Sequence, residues 1–135
     1  MYNRLVAAML VVVFITPGCR STKTDRQVST GETVCFHGFG YAGSLTPMMK
    51  MVVAYKDKAD AESVFYQIAL SQTPENALYG LAGLKIVKSS YYLQASDGIL
   101  RAFKDTNVHY GPGGCIAYVQ TVESVVSEVR NLTIE

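Results

Sequence analysis

Residues 60–88 read DAESVFYQIALSQTPENALYGLAGLKIVK, and their apolar spacing decides the fold class. Ala61, Val64, Phe65, Ile68 and Ala69 recur at helical intervals, while Glu62, Ser63 and Gln67 fall on the opposite face. Asp60 stands where a helix N-cap is wanted. Thr73-Pro74-Glu75 then repeats a start signal, with a capping hydroxyl followed by a proline at the position where a backbone N–H is dispensable. It opens a helix from Pro74 to about Lys88, whose expected apolar stripe is Ala77, Leu78, Leu81, Ala82 and Leu84. Gln72 and Thr73 leave a very short connection, so the two helices are expected to pack as an antiparallel hairpin. Gly80 and Gly83 interrupt the second helix at about 1 kcal/mol each relative to Ala. Close approach of a neighbouring backbone would offset that cost; approach of a ligand is the other reading.

Outward from this pair the pattern stays helical. Thr46-Pro47 is another start signal, and the apolar segment Met48 to Tyr55 predicts a helix from Pro47 to about Asp57, with a buried strand as the alternative. Ser89 or Ser90 caps a fourth helix through Tyr91, Tyr92, Leu93, Ile99, Leu100 and Phe103, although Asp97-Gly98 could form a turn between two shorter ones. Val108 to Tyr110 read as extended, Gly111 to Gly114 as a turn, and Cys115 to Gln120 as a short strand. Val122, Val125, Val126 and Val129 fall at helical spacing within Thr121 to Leu132, despite their β-branched side chains. The fold class is therefore mainly α: a small antiparallel helical bundle or HEAT-like helical hairpins, with a short β-hairpin near 108–120. One helical pair is far short of the three or more repeats that define a solenoid.

The N-terminus carries a different signal. Arg4 precedes an unbroken apolar run from Leu5 to Ile15, about half of the roughly 20 residues a membrane-spanning helix needs, and Thr16-Pro17-Gly18-Cys19 follows. This segment resembles the bacterial lipoprotein signal, in which a small residue precedes a cysteine that receives diacylglycerol before cleavage. Gly18 and Cys19 fit that pattern; Thr16 departs from the Leu-like residue usual three places before the cysteine, and Pro17 is uncommon. Cleavage after Gly18 without lipidation, or an uncleaved anchor, are the alternatives. The resemblance implies lipidation at Cys19 with acyl chains such as palmitate, and location in the bacterial cell envelope. It implies the outer membrane in a diderm cell, because Arg20 rather than Asp follows the cysteine. Each buried CH₂ contributes about 0.8 kcal/mol, so two or three acyl chains make a stable anchor. The expected organisation is a signal peptide at 1–18, a Ser/Thr/charged flexible tether at 19–33 and one helical domain at 34–135.

Removing Arg4 with the signal leaves eleven basic residues against eleven acidic ones. Such a balance, with no basic cluster, argues against nucleic acid as a partner. With Cys19 assigned to lipid, Cys35 and Cys115 remain, and an even pair in an oxidising compartment is most simply a disulfide. In the chain-entropy picture that bond stabilises by roughly 4 kcal/mol, less any native strain. Free thiols are one alternative. Zinc held with His37 and His109 is another, although the spacing matches no common zinc knuckle.

Gly38-Phe39-Gly40-Tyr41-Ala42-Gly43 has dinucleotide-loop spacing without the strand before it or the acidic residue after it, so no cofactor is expected. Phe36, Phe39 and Tyr41 fit better as aromatics covering a core. Gly40 to Gly43, Val64-Phe65, Thr73-Pro74, Leu78 to Leu84 and Gly114-Cys115-Ile116 together resemble a group of uncharacterised bacterial secreted proteins and lipoproteins. Asn76 replaces the glycine of that group's pattern, and Ala82 stands where a cysteine is frequent. The resemblance covers about residues 38 to 120 and implies no activity. No metal site or catalytic residue is assigned; His37, His109 and Asp105 form the only polar set that could serve an enzyme. The expected role is a non-enzymatic envelope lipoprotein that binds a protein partner or has a structural part. An inhibitor or immunity-type lipoprotein, using a loop at 36–45 or 105–114, is the runner-up, and a small metal-binding protein or enzyme the third reading.

Overall fold

The computed structural model describes residues 27–37, 43–113 and 116–133. These form strand β1 (Gln27–Val28), helices α1 (Pro47–Tyr55), α2 (Ala61–Ala69), α3 (Pro74–Ile86) and α4 (Tyr92–Ala102), strands β2 (Thr106–Gly113) and β3 (Ile116–Thr121), and helix α5 (Val122–Arg130). The chain is mainly α with a small three-stranded sheet of order β1-β2-β3.

Helix α3 forms the centre. Ten of its thirteen residues are buried, including both glycines, so it carries no single apolar stripe; α1, α2, α4, α5 and β2 all pack on it. A helix apolar all round is what a position inside a core demands. Gly80 lies against the backbone of Ala69, where an added Cβ would stand 2.2 Å from Ala69 N, and Gly83 lies under the ring of Phe65. As α3 advances from 80 to 83, its neighbour on α2 retreats from 69 to 65, so the two axes run in opposite directions. The glycines serve close helix approach, the first of the two readings.

The start signals act unevenly. Thr46 Oγ1 accepts from Met49 N at 3.2 Å and caps α1 as expected. Thr121 does the same for α5, accepting from Ser124 N at 3.1 Å. Asp60 and Thr73 make no side-chain cap bond. Asp60 instead accepts from the Tyr55 hydroxyl at 3.0 Å, and Ser71 Oγ accepts from Thr73 N at 3.3 Å. Helix α4 runs through Asp97-Gly98 without a break. Asp97 is exposed and half-buried Gly98 has open space where a Cβ would stand, so the pair meets no tertiary demand for a turn.

Two expectations are corrected at the sheet. Gly111 to Gly113 belong to β2 rather than to a turn; β2 pairs antiparallel with β3 from Asn107↔Thr121 to Gly113↔Ile116, with a register shift between Tyr110 and Gly113. The shift absorbs the Gly-Pro-Gly sequence, since Pro112 has no N–H to give a regular ladder. The tether expected through residue 33 is also shorter at its far end. Gln27 and Val28 pair in parallel with Thr106 and Asn107, and Val34 bridges Tyr110. Residues 29–33 arch over the start of α3, where Gly31 lies on the buried carboxyl of Glu75.

Tyr79 fastens this N-terminal segment to the core. Its hydroxyl oxygen accepts from Cys35 N at 3.0 Å and shares a 2.8 Å hydrogen bond with Thr46 Oγ1. Its ring meets Phe36 edge-on, with centroids 5.8 Å apart. Met49, Val52, Phe65, Leu78, Leu81, Leu84, Val108 and the four valines of α5 complete the core.

Candidate functional site

Cys19 and Cys115 lie outside the described residues, as do the signal segment and residues 38–42. Cys35 is fully buried beside β2, and its thiol donates to His37 O at 2.7 Å. Burial pushes its pKa up from the ordinary thiol value, the opposite of what a nucleophile needs. His37 is exposed, Asp105 sits exposed after α4, and His109 is half-buried on β2 opposite Val119. Among the described residues no three His, Cys, Asp or Glu side chains converge as metal ligands. The segment 106–113 is paired strand, which removes most of the second loop considered for an inhibitor.

Two surfaces stand out instead. The first is β3, Ile-Ala-Tyr-Val-Gln-Thr, which holds no charge and no proline. It is a terminal strand of the sheet, paired with β2 on one side and, among the described residues, with nothing on the other. Ile116, Tyr118 and Val119 are each at least half exposed, so apolar side chains lie open on both faces of the strand. Proteins commonly blunt such an edge with charge, proline or a bulge, and β3 has none of these on its free side.

The second is an open-sided cleft of about 580 Å³ where α3 and α5 end side by side. Half-buried Ile86 and the edge of Leu132 give it apolar walls; Lys85, Lys88, Arg130 and Tyr92 stand around them. Lys85 Nζ lies 5.6 Å from the centre of the Tyr92 ring, within cation–π range. Burial raises the Tyr92 pKa, with the neighbouring Arg130 charge pulling it partly back. The Tyr92 hydroxyl is enclosed and makes no hydrogen bond of good geometry among the described residues.

Lys88 has an unusual backbone. Its φ is +54°, the only positive φ at a non-glycine among the described residues. Ser89 N donates to Leu84 O at 2.9 Å and Lys88 N to Lys85 O at 3.1 Å, the paired bonds of a Schellman cap. The left-handed position in that cap normally falls to glycine, because a Cβ costs roughly 1–2 kcal/mol there.

Sequence reasoning missed both surfaces. The edge of β3 follows from strand order, which periodicity does not reveal. The cleft joins residues 84–92 to residues 130–133, so its cations are never neighbours along the chain. One signal was present: the helix beginning at Pro74 ends with no glycine to close it. Comparison with protein-family models, curated proteins and solved structures finds no match to this chain.

Proposed function

We propose that this chain is a lipid-anchored protein of the bacterial envelope, attached through Cys19, whose folded domain works by binding a protein partner rather than by catalysis. The open edge of β3 carries the reading. Its N–H and C=O groups on that side, which no described strand pairs, need hydrogen-bond partners that lipid cannot offer and an extended peptide can. Main-chain pairing supplies affinity in such a complex, and the exposed side chains of Ile116, Tyr118 and Val119 supply selectivity. No helix among the described residues is long and apolar enough to cross a membrane. In this reading the domain is a small antiparallel helical bundle centred on the α2–α3 hairpin, and oxidation of the Cys35 thiol, free in this structure, would join it to Cys115 in a disulfide at the expense of its hydrogen bond to His37 O. Kinship with the secreted group that shares the Thr-Pro and Leu-Tyr-Gly-Leu segment belongs to the same proposal.

A photo-crosslinking residue at position 118 of the full chain, expressed in its own cell envelope, tests the binding edge. A discrete protein adduct that disappears with Val119→Lys is expected; absence of any adduct, or one indifferent to the substitution, sinks the reading. The anchor is tested separately by Cys19→Ala and membrane fractionation, where loss of an acyl mass and of membrane retention is expected.

A further inference from the structure

The cleft between the ends of α3 and α5 is a surface of a different kind from the β3 edge. Among the described residues three cationic side chains, Lys85, Lys88 and Arg130, line it and no acidic one does, although the Glu62 carboxylate accepts a hydrogen bond from Ser89 on its rim. Among the described residues none of the three forms an ion pair, the one such pair being Lys56 with Asp57. Two helix C-termini meet at this place, each carrying a partial negative charge of about one half, so one cation there needs no special explanation. Three, set against these termini and the Glu62 carboxylate on Ser89, leave a surplus of about one positive charge. Ile86, half-buried, and the edge of Leu132 add an apolar floor, and the volume falls within the roughly 300–1,000 Å³ typical of small-molecule sites. Lys88 is the most telling residue. The cap that ends α3 would be satisfied better by glycine, yet a long cationic side chain occupies the left-handed position and lines the cleft. Backbone strain held at a lined cavity is a recurrent mark of function.

We propose that this cleft binds a small anionic amphiphile, with an oxyanion head, phosphate or carboxylate, held between Lys88, Lys85 and Arg130 and a short hydrocarbon body laid on Ile86 and the edge of Leu132. Arg130 offers a planar fork for two oxygens, whereas the lysines act as point charges. Lys85 is already steadied over the Tyr92 ring, so little freedom is lost when it meets the head. The apolar floor selects against bare anions, and the cations select against neutral hydrocarbon.

Hexyl phosphate is a suitable probe, followed by calorimetry and by amide shifts of the folded domain at low ionic strength. Saturable binding at millimolar concentration or tighter is expected, with shifts centred on residues 84–92 and 130–133, weakening as salt is raised. Inorganic phosphate and hexanol should each bind roughly tenfold more weakly, as fits the loss of one charge-assisted or apolar contribution. The decisive variant is Lys88→Gly. It relieves the strained cap, so its melting temperature should rise, while its affinity for hexyl phosphate should fall about tenfold. Arg130→Gln, on an exposed last turn, should lower affinity by a similar factor without disturbing the fold. No saturable binding, unchanged affinity in both variants, or adsorption to phosphatidylglycerol vesicles without any response to hexyl phosphate would overturn the proposal.

Discussion

At the scale of single residues, Tyr79 bears a share of the structure out of proportion to its hydroxyl. It is the acceptor for a backbone N–H, that of Cys35, and a partner of the residue that caps α1. Tyr79→Phe keeps the ring packing on Phe36 but leaves the Cys35 N–H enclosed without an acceptor. Burying an unsatisfied amide costs about 1–3 kcal/mol, so the variant should lose that much stability in chemical denaturation. Stability within a few tenths of the parent would show that residues 33–35 are held by the sheet alone. Tyr79 was visible in the sequence only as one of nine tyrosines. Its role depends on a loop and a helix cap separated from it by more than thirty residues, and no local pattern encodes such a meeting.

Among elements, the contact of α2 with α3 was the most legible part of the fold, because it is built from local periodicity and a short connection. Gly80 states its closeness most directly. Replacement of Gly80 by Ala gains about 1 kcal/mol of helix propensity but places a methyl 2.2 Å from a backbone nitrogen of α2, which cannot yield as a side-chain end would. Overpacking of this kind typically costs about 1–3 kcal/mol and sometimes more, so Gly80→Ala should lower the melting temperature. A neutral or stabilising result would mean that α2 slides away freely. What the sequence did not show for α3 was its burial on every side. Ala77, Leu78, Leu81, Ala82 and Leu84 read as a stripe; Tyr79 and the glycines close the circumference only because other elements cover them. Caps were legible at Thr46, whose hydroxyl accepts from Met49 N while it also bonds the Tyr79 hydroxyl. They were misread at Asp60, whose carboxylate is taken by Tyr55.

For the whole molecule, pH offers a global probe. Burial pushes the Tyr110 phenol up to about 12, helped by the charge of Glu128, and raises Tyr79 in the same direction. An unfolded tyrosine loses its proton near 10. Between these values the unfolded chain therefore binds fewer protons than the folded one, and stability must fall as pH rises. Full stability below about pH 10 and progressive loss toward about 12 are expected, monitored by tyrosinate absorbance together with circular dichroism. Ionisation of every tyrosine near 10 with the fold intact would contradict the burial of Tyr110.

The parallel pairing of β1 with β2 has a consequence for the order in which the chain folds. Gln27 and Val28 are made early, yet their partners are Thr106 and Asn107, and Val34 waits for Tyr110. Helices α1 to α4 can collapse by local contacts, but the first strand has nowhere to go until four helices have passed. Closing so long a loop is slow, because its entropic cost precedes any reward. The emerging chain is thus kept open at its leading end until nearly all of it has been delivered. Were the chain exported unfolded, as the proposed envelope location would require, that delay would be an asset: threading would be complete before the sheet could lock.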